Sequence, residues 1–133
     1  MSLPAPRGME NLEAGLREAA RLFNEARYHA AHEVLDELWE EAPPGDADLL
    51  KGLIQACIAL HHYQQGNLEG ARRLYSGHRR YLGSYLPAHL GVDVAGFMAQ
   101  MQAALLPLVR ARPGDEPPFE LAPRPTLEIR PGG

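Results

Sequence analysis

The sequence predicts an all-α protein: a single five-helix bundle of helical hairpins with an extended, proline-rich C-terminal tail. Three observations support this prediction. Apolar residues recur three and four positions apart over most of residues 9–111, which is the period of one face of an α-helix. Proline, glycine and cap-forming residues interrupt that pattern between the predicted helices. The last 22 residues carry six prolines and lack helical periodicity.

Length and composition indicate one globular domain. The chain has 133 residues, ordinary apolar and charged fractions, and a formal net charge of -4, so no positive field attracts nucleic acid. No apolar run approaches the roughly 18 residues that span a bilayer, and the chain start lacks the apolar core of a signal peptide. We expect a cytoplasmic protein that binds neither nucleic acid nor membranes. Cys57, the single cysteine, is expected to be buried and inert.

The predicted domain boundaries follow the change in composition. Residues 1–8 are rich in proline and predict a flexible arm. Residues 9–111 carry the helical periodicity and predict the bundle domain. Residues 112–133 predict an extended tail that lies over the bundle, because they alternate weakly between apolar and polar types.

The first three helices each have their own pattern of apolar spacing. The first is predicted over about 9–23 and the second over about 28–42, where the Pro-Pro-Gly of 43–45 ends it. The third, over about 47–65, is apolar on nearly every side. A helix of that kind is buried on every side, so we expect it at the centre of the bundle. Asp46 is the expected N-cap.

Turn-forming and helix-ending residues separate the last three helices. Gly66 and Asn67 are favourable C-terminal and N-cap residues, so helices three and four should meet in a tight turn. Helix four is then predicted over about 68–86, because Pro87 ends it. Helix five is predicted over about 94–110.

Polar residues on two of these helices predict a cross-helix cluster. At about 100° per residue, His32, Asp36 and Trp39 share one edge of the buried stripe of helix two. Gln55 and His62 share one edge of helix three. The simplest packing brings the two edges together.

Three interpretations of this cluster compete. It is a polar network that fixes helix register, a pocket for a small ligand walled by Trp39 and Tyr28, or a metal site. In the metal site His32, Asp36 and His62 would ligate a divalent transition metal, because two imidazoles and a carboxylate form the ligand set of catalytic zinc and non-haem iron sites. The full predicted cluster or ligand pocket comprises Asn24, Tyr28, His32, Asp36, Trp39, Gln55, His62 and Asn67.

A longer pattern in the sequence resembles a known family. The pattern runs through Phe23-Asn24, Tyr28, His32-Glu33-x-Leu35-x-x-x-Trp39, Leu53-Ile54-Gln55, His62 and Gly66-Asn67-x-x-Gly70-Ala71. On these residues, about 10–90, the sequence resembles the prokaryotic domain of unknown function (DUF) family 309. The family usually has glutamate where this chain has Asp36, so the acid is kept but is one methylene shorter. The resemblance implies a compact all-helical domain and brings no established activity.

Two hypotheses of function from different classes follow. The first is a non-catalytic binding or interaction module with a protein or small-molecule partner. The sequence contains no P-loop, no dinucleotide glycine fingerprint, no CxxC and no GxSxG elbow. The second is a metal-dependent hydrolase that uses His32, Asp36 and His62 as ligands.

Overall fold

Five α-helices follow one another along the described part of the chain, in the predicted order. The computed structural model describes residues 7–112, 114, 121 and 124–130, with side chains from residue 11 onward. The helices are α1 (Arg7–Asn24), α2 (Tyr28–Glu41), α3 (Pro44–Gln64), α4 (Leu68–Leu82) and α5 (Val94–Arg110), and a 3-10 turn, Gly83–Tyr85, follows α4. The predicted all-α fold is therefore confirmed. Most of the predicted arm, residues 1–6, and much of the predicted tail, 113, 115–120, 122–123 and 131–133, lie outside the described residues.

Helix α3 lies at the centre of the bundle, as its composition predicts. It packs against α2 on one side and most extensively against α4 on the other, while α1 packs on α2 and α5 on α4. Its buried residues face several directions: Leu49, Leu50, Gly52, Leu53, Ile54, Ala56, Cys57, Ala59, Leu60 and Tyr63. Burial raises the pKa of the Cys57 thiol to about 12, which favours the protonated form of the thiol. The expectation that Cys57 is buried is confirmed.

The start of α3 differs from the prediction. The helix begins at Pro44, and its N-cap residue is Pro43, which makes no side-chain cap. Proline fits the first helical position because its fixed φ suits a helix and it lacks an N–H that would go unpaired there. The expectation that Asp46 caps α3 is therefore wrong. Asp46 lies inside the first turn, where its Oδ1 accepts a hydrogen bond from His89 Nε2 at 2.7 Å.

The other helix ends follow the turn chemistry of the sequence. Gly66 has φ +78°, and Asn67 Oδ1 accepts from the Gly70 N–H at 3.0 Å to cap α4. The predicted tight turn between α3 and α4 is confirmed. Helix α4 ends at Leu82, four residues before the predicted end, because residues 83–85 tighten into a 3-10 turn.

Part of the tail packs on the bundle. Leu127 is 2% exposed and belongs to the hydrophobic core, and Ile129 forms an isolated antiparallel bridge with Val92. None of the helices in the described part of the chain combines the length and the apolar character needed to cross a bilayer.

Candidate functional site

Gln55 and His62, one half of the predicted cluster, lie against α4. A Cβ built on Gly77 would overlap the Gln55 amide oxygen, and one built on Gly70 would lie 3.0 Å from His62 Cδ2. The two polar residues are seven positions apart on α3, and the two glycines are seven positions apart on α4. The glycines therefore provide the space into which the polar side chains pack.

This packing differs from the expected one. The Gln55–His62 edge was expected to meet the His32–Asp36 edge of α2, but the absence of side chains at Gly70 and Gly77 directs it to α4. The two glycines, one heptad apart, are the sequence signal that identifies the facing helix. The two halves of the predicted cluster thus lie on different sides of α3.

Two predicted members do meet at the α3–α4 junction. Asn67 Nδ2 donates to His62 Nδ1 at 3.2 Å, while the Asn67 side-chain oxygen caps α4. The amide group is a donor at its nitrogen, so the His62 Nδ1 atom accepts in this contact. His62 and Asn67 therefore stabilise the turn between two helices.

The α2 edge meets His61 instead of His62. The His29 ring centroid lies 5.5 Å from that of His32 and 5.3 Å from that of His61. We name His29, His32 and His61 the histidine group. His29 Nε2 also lies 3.0 Å from Glu33 Oε1, in an exposed pair one helical turn apart. Two helices thus contribute imidazoles to one half-exposed surface.

The histidine group has a distinct electrostatic character. The pKa of His61 is lowered from its ordinary value, first by burial and then by the charges of His29, His62 and His32. A protonated imidazole disfavours the protonation of a second imidazole nearby. His61 therefore keeps its neutral form, with a free lone pair, to lower pH than an isolated histidine.

Trp39 and Asp36 lie further along the same side of α2. Trp39 is 39% exposed, and Lys51 Nζ of α3 lies 5.0 Å from the centroid of its ring. Asp36 is exposed. The only tryptophan of the chain is therefore a surface residue that contacts a cation.

Two members of the predicted cluster have other surroundings. Tyr28 is almost fully buried, with its ring edge-to-face on Phe23 at 5.1 Å, and burial raises the pKa of its phenol. Asn24 contacts the tail, because its amide exchanges two hydrogen bonds with the backbone of Leu127. Tyr28 is thus a core residue and Asn24 a tail-binding residue.

The predicted metal ligands are not brought together. Within the part of the chain that the structure describes, no group of three or more His, Cys, Asp or Glu side chains is placed to hold a metal ion. His62 contacts Asn67 at the α3–α4 junction, whereas His32 lies beside His29. A metal site built from His32, Asp36 and His62 stays a prediction of the sequence.

A second histidine–carboxylate pair lies at the start of α3. His89 Nε2 donates to Asp46 Oδ1, and its ring centroid lies 4.9 Å from that of Tyr85. The Tyr85 hydroxyl donates to the Gly45 carbonyl at 2.8 Å. Asp46 and His89 are 43 residues apart, so no local spacing in the sequence indicates their contact. His29 was detectable, because it is three residues before His32 on the same helix.

These features define the class of the protein. It is a small all-helical domain of consecutive hairpins, with polar side chains at the hairpin junctions and imidazoles on the face shared by α2 and α3. Residues 16–74 match the family model described as Domain of unknown function (DUF309). The resemblance recognised in the sequence is therefore confirmed.

Two curated proteins are similar to this chain. "Uncharacterized protein YpuF" of Bacillus subtilis (strain 168) is 35% identical over 79 residues, which cover 57% of this chain and 45% of that protein. An "Uncharacterized protein" of Aquifex aeolicus (strain VF5) is 39% identical over 57 residues, which cover 39% of this chain and 16% of that protein. The matched part spans less than half the length of either relative.

Proposed function

We propose that this chain is a non-catalytic binding module whose ligand face is the surface shared by α2 and α3. We name this surface the α2–α3 face and define it by His29, His32, Trp39, Lys51 and His61. The observation that carries the proposal is the exposure of Trp39. Tryptophan is enriched among the anchor residues of binding surfaces, because it offers a large apolar ring and a polar N–H together.

The surroundings of Trp39 support this role. Lys51 supplies a positive charge over the ring, and the histidine group supplies imidazole nitrogens that donate or accept hydrogen bonds. An apolar anchor with polar groups around it is the usual composition of a recognition surface. A protein or small-molecule partner of mixed apolar and polar character fits this face.

The contacts of Gln55 and His62, the other half of the predicted cluster, support a structural role for these two residues. Gln55 fills the space over Gly77, and His62 bonds to Asn67. Both sets of contacts fix how α4 lies on α3, so they do not need a ligand. The proposal therefore assigns binding to the α2–α3 face and helix register to the α3–α4 interface.

A ligand-detected experiment tests the location of the face. A fragment library is titrated into the ¹⁵N-labelled full chain, and amide shifts are followed by two-dimensional NMR. Hits are expected to perturb residues of the α2–α3 face most, and to lose affinity in Trp39→Ala. Hits that cluster elsewhere and are unaffected by Trp39→Ala would contradict the proposal.

An activity experiment tests the non-catalytic part. The full chain is assayed with p-nitrophenyl phosphate and p-nitrophenyl acetate, with and without zinc, manganese or nickel. We expect no turnover of either substrate that depends on His32, so His32→Ala should not lower the rate. Turnover that is lost in folded His32→Ala but kept in the matched His89→Ala would show that the chain is an enzyme.

The metal-dependent hydrolase is the second candidate function. Its support is the residue types of His32, Asp36 and His62, two imidazoles and a carboxylate, although the described residues contain no group of three placed to hold a metal ion. Elemental analysis of protein purified without chelators tests it. Less than about a tenth of a metal ion per chain, with no thermal shift on adding zinc, manganese or nickel, would exclude it. The cytoplasmic location stays a prediction of the sequence.

A further inference from the structure

Charge is distributed unevenly along the chain. Residues 1–67 contain eleven acidic residues and five Lys or Arg, whereas residues 68–110 contain two acidic residues and five Arg. The formal charges of these two parts are therefore -6 and +3. Helix α2, which carries five acidic residues and no Lys or Arg, and the basic α4 pack on opposite sides of α3. The net charge of -4 thus does not describe the surface of α4.

Four arginines of α4 form a positive surface. We name it the arginine face and define it by Arg72, Arg73, Arg79 and Arg80. At about 100° per residue, Arg73 and Arg80 lie in one row along the helix. Arg72 and Arg79 lie in a second row about 100° away, and the exposed Ser76 lies between the rows. The face therefore presents four guanidinium groups over about two helical turns.

No neighbouring carboxylate neutralises the arginine face within the part of the chain that the structure describes. The ion pairs there lie at α1, within α2 and between α3 and the loop before α5. Helix α5 and residues 49–64 of α3, which pack on α4, contain no Asp or Glu. The acid of α4 itself is Glu69, in the first turn. Three of the arginines are exposed, while Arg72 donates to the Leu108 carbonyl at 3.1 Å.

We propose that the arginine face binds the phosphodiester backbone of a single-stranded nucleic acid. The guanidinium group is planar and forms two parallel hydrogen bonds with a phosphate, and α4 contains arginine but no lysine. An aromatic ring lies beside the charges: Arg80 Cζ is 5.4 Å from the ring centroid of the half-exposed Tyr81. Unpaired bases stack on aromatic rings and guanidinium planes, so this pair favours a single strand over a duplex.

Other anionic partners fit the face less well. A helix that binds a membrane presents large apolar residues beside its charges, but the apolar side of α4, with Tyr75 and Leu82, is buried in the bundle. An acidic protein segment would pair with the arginines and leave the Tyr81 ring unused. The expectation that the chain binds no nucleic acid rests on its net charge alone. The inference goes beyond the proposed function, because the arginine face and the α2–α3 face share no residue.

Binding of a labelled oligonucleotide to the full chain tests the proposal. The probes are fluorescein-labelled oligothymidylate and oligouridylate of about 15 nucleotides, and fluorescence anisotropy reports binding at several salt concentrations. We expect a dissociation constant of roughly 100 µM or lower at about 50 mM salt. Three exposed arginines predict a slope of roughly -2 for the logarithm of the binding constant against that of the salt concentration. The tighter probe identifies DNA or RNA, and no binding of either overturns the proposal.

Two variants with the same change in net charge locate the binding. One replaces the exposed arginines of the face: Arg73→Gln, Arg79→Gln and Arg80→Gln. The other replaces exposed arginines of α1 and the residue before α2: Arg17→Gln, Arg21→Gln and Arg27→Gln. We expect the first variant to weaken binding at least about ten-fold and the second less than about two-fold. An equal loss in both would overturn the proposal, because total charge would then determine binding.

Folding of these variants is checked by circular dichroism. Arg72 is kept in the first variant, because it contacts the backbone of α5. If a triple variant is unfolded, Arg73→Gln and Arg17→Gln are compared instead, and the same order of effects is expected. Binding that Arg73→Gln and Arg17→Gln weaken equally would overturn the proposal.

A further variant and two other anions test the class of partner. Tyr81→Leu should weaken oligothymidylate binding by about five-fold or more through the loss of base stacking. An unchanged affinity in folded Tyr81→Leu overturns the proposal. Polyglutamate that binds as tightly as the oligonucleotide would show an acidic protein as the partner. Phosphatidylserine vesicles that bind the chain, and lose it when the arginines of the face are replaced, would show a membrane. Either result overturns the proposal.

Discussion

Leu82, the last residue of α4, packs directly onto Gly52 of α3. A Cβ built on Gly52 would lie 2.6 Å from Leu82 Cγ and Cδ2, and 3.2 Å from the Leu82 backbone nitrogen. Leu82 is fully buried, so it has little room to move away. The absence of a side chain at position 52 is therefore a condition for the packing of α4 on α3.

We expect Gly52→Ala to destabilise the protein. The overlap with Leu82 costs about 1–3 kcal/mol, and alanine gains roughly 1 kcal/mol over glycine in a helix, so the expected net loss is up to about 2 kcal/mol. Urea unfolding measures the change. Gly83→Ala is the matched control, because a Cβ there meets nothing within 4 Å and no loss is expected. Equal stabilities of the two variants would contradict this account.

His78 should make the fold sensitive to acid. It is fully buried, and its Nε2 has no hydrogen-bond partner among the described residues, while Nδ1 donates to the Tyr75 carbonyl. Burial lowers its pKa from 6.5 to about 4, opposed by the Tyr75 contact and aided slightly by Arg79. The unfolded chain thus binds a proton between pH 6.5 and 4 that the folded chain does not.

The free energy of unfolding should therefore fall as the pH drops through that window. One proton is worth up to about 1.4 kcal/mol per pH unit, or roughly 3 kcal/mol over the whole window. Above pH 6.5 His78 is neutral in both states and contributes nothing. Urea unfolding at pH 7, 5.5 and 4.5 should show a smaller loss in His78→Phe than in the unmodified chain. An equal dependence of the free energy of unfolding on pH in the two proteins would show that His78 does not cause the sensitivity to acid. His78→Leu replaces His78→Phe if phenylalanine does not fit.

The sequence was sufficient for the fold but not for the site. Helix α3 was identified as central because apolar residues surround it, and Asn67 as a cap because of its place before Leu68. These features depend on local spacing. Which face of α3 meets α4 depends on side chains that are absent, at Gly70 and Gly77, and a periodicity of apolar residues does not report it. The contact of Asn24 with Leu127 spans 103 residues, so no local pattern indicates it.

Trp39→Ala should have little effect on stability. Its ring is exposed, and its contact with Lys51 is worth about 0.5–1 kcal/mol at such a site, so we expect a loss of about 1 kcal/mol or less. Leu35→Ala, one turn away on the same helix and fully buried, should cost about 2–5 kcal/mol. Thermal and urea unfolding compare the two. A loss in Trp39→Ala as large as that in Leu35→Ala would show that the tryptophan is structural and would remove the main support for the α2–α3 face.

Removing His29 should raise the pKa of His61. Burial is the first cause of the lowered pKa of His61 and the charge of His29 is the second, so His29→Ala relieves part of the effect and burial maintains the rest. NMR titration of the imidazole Cε1–H protons measures each histidine separately. His89→Ala is the control, because His89 contacts Asp46 and Tyr85 and is not among the causes of the His61 shift. An unchanged His61 pKa in His29→Ala, or an equal rise in His89→Ala, would show that the three imidazoles do not act on one another across α2 and α3.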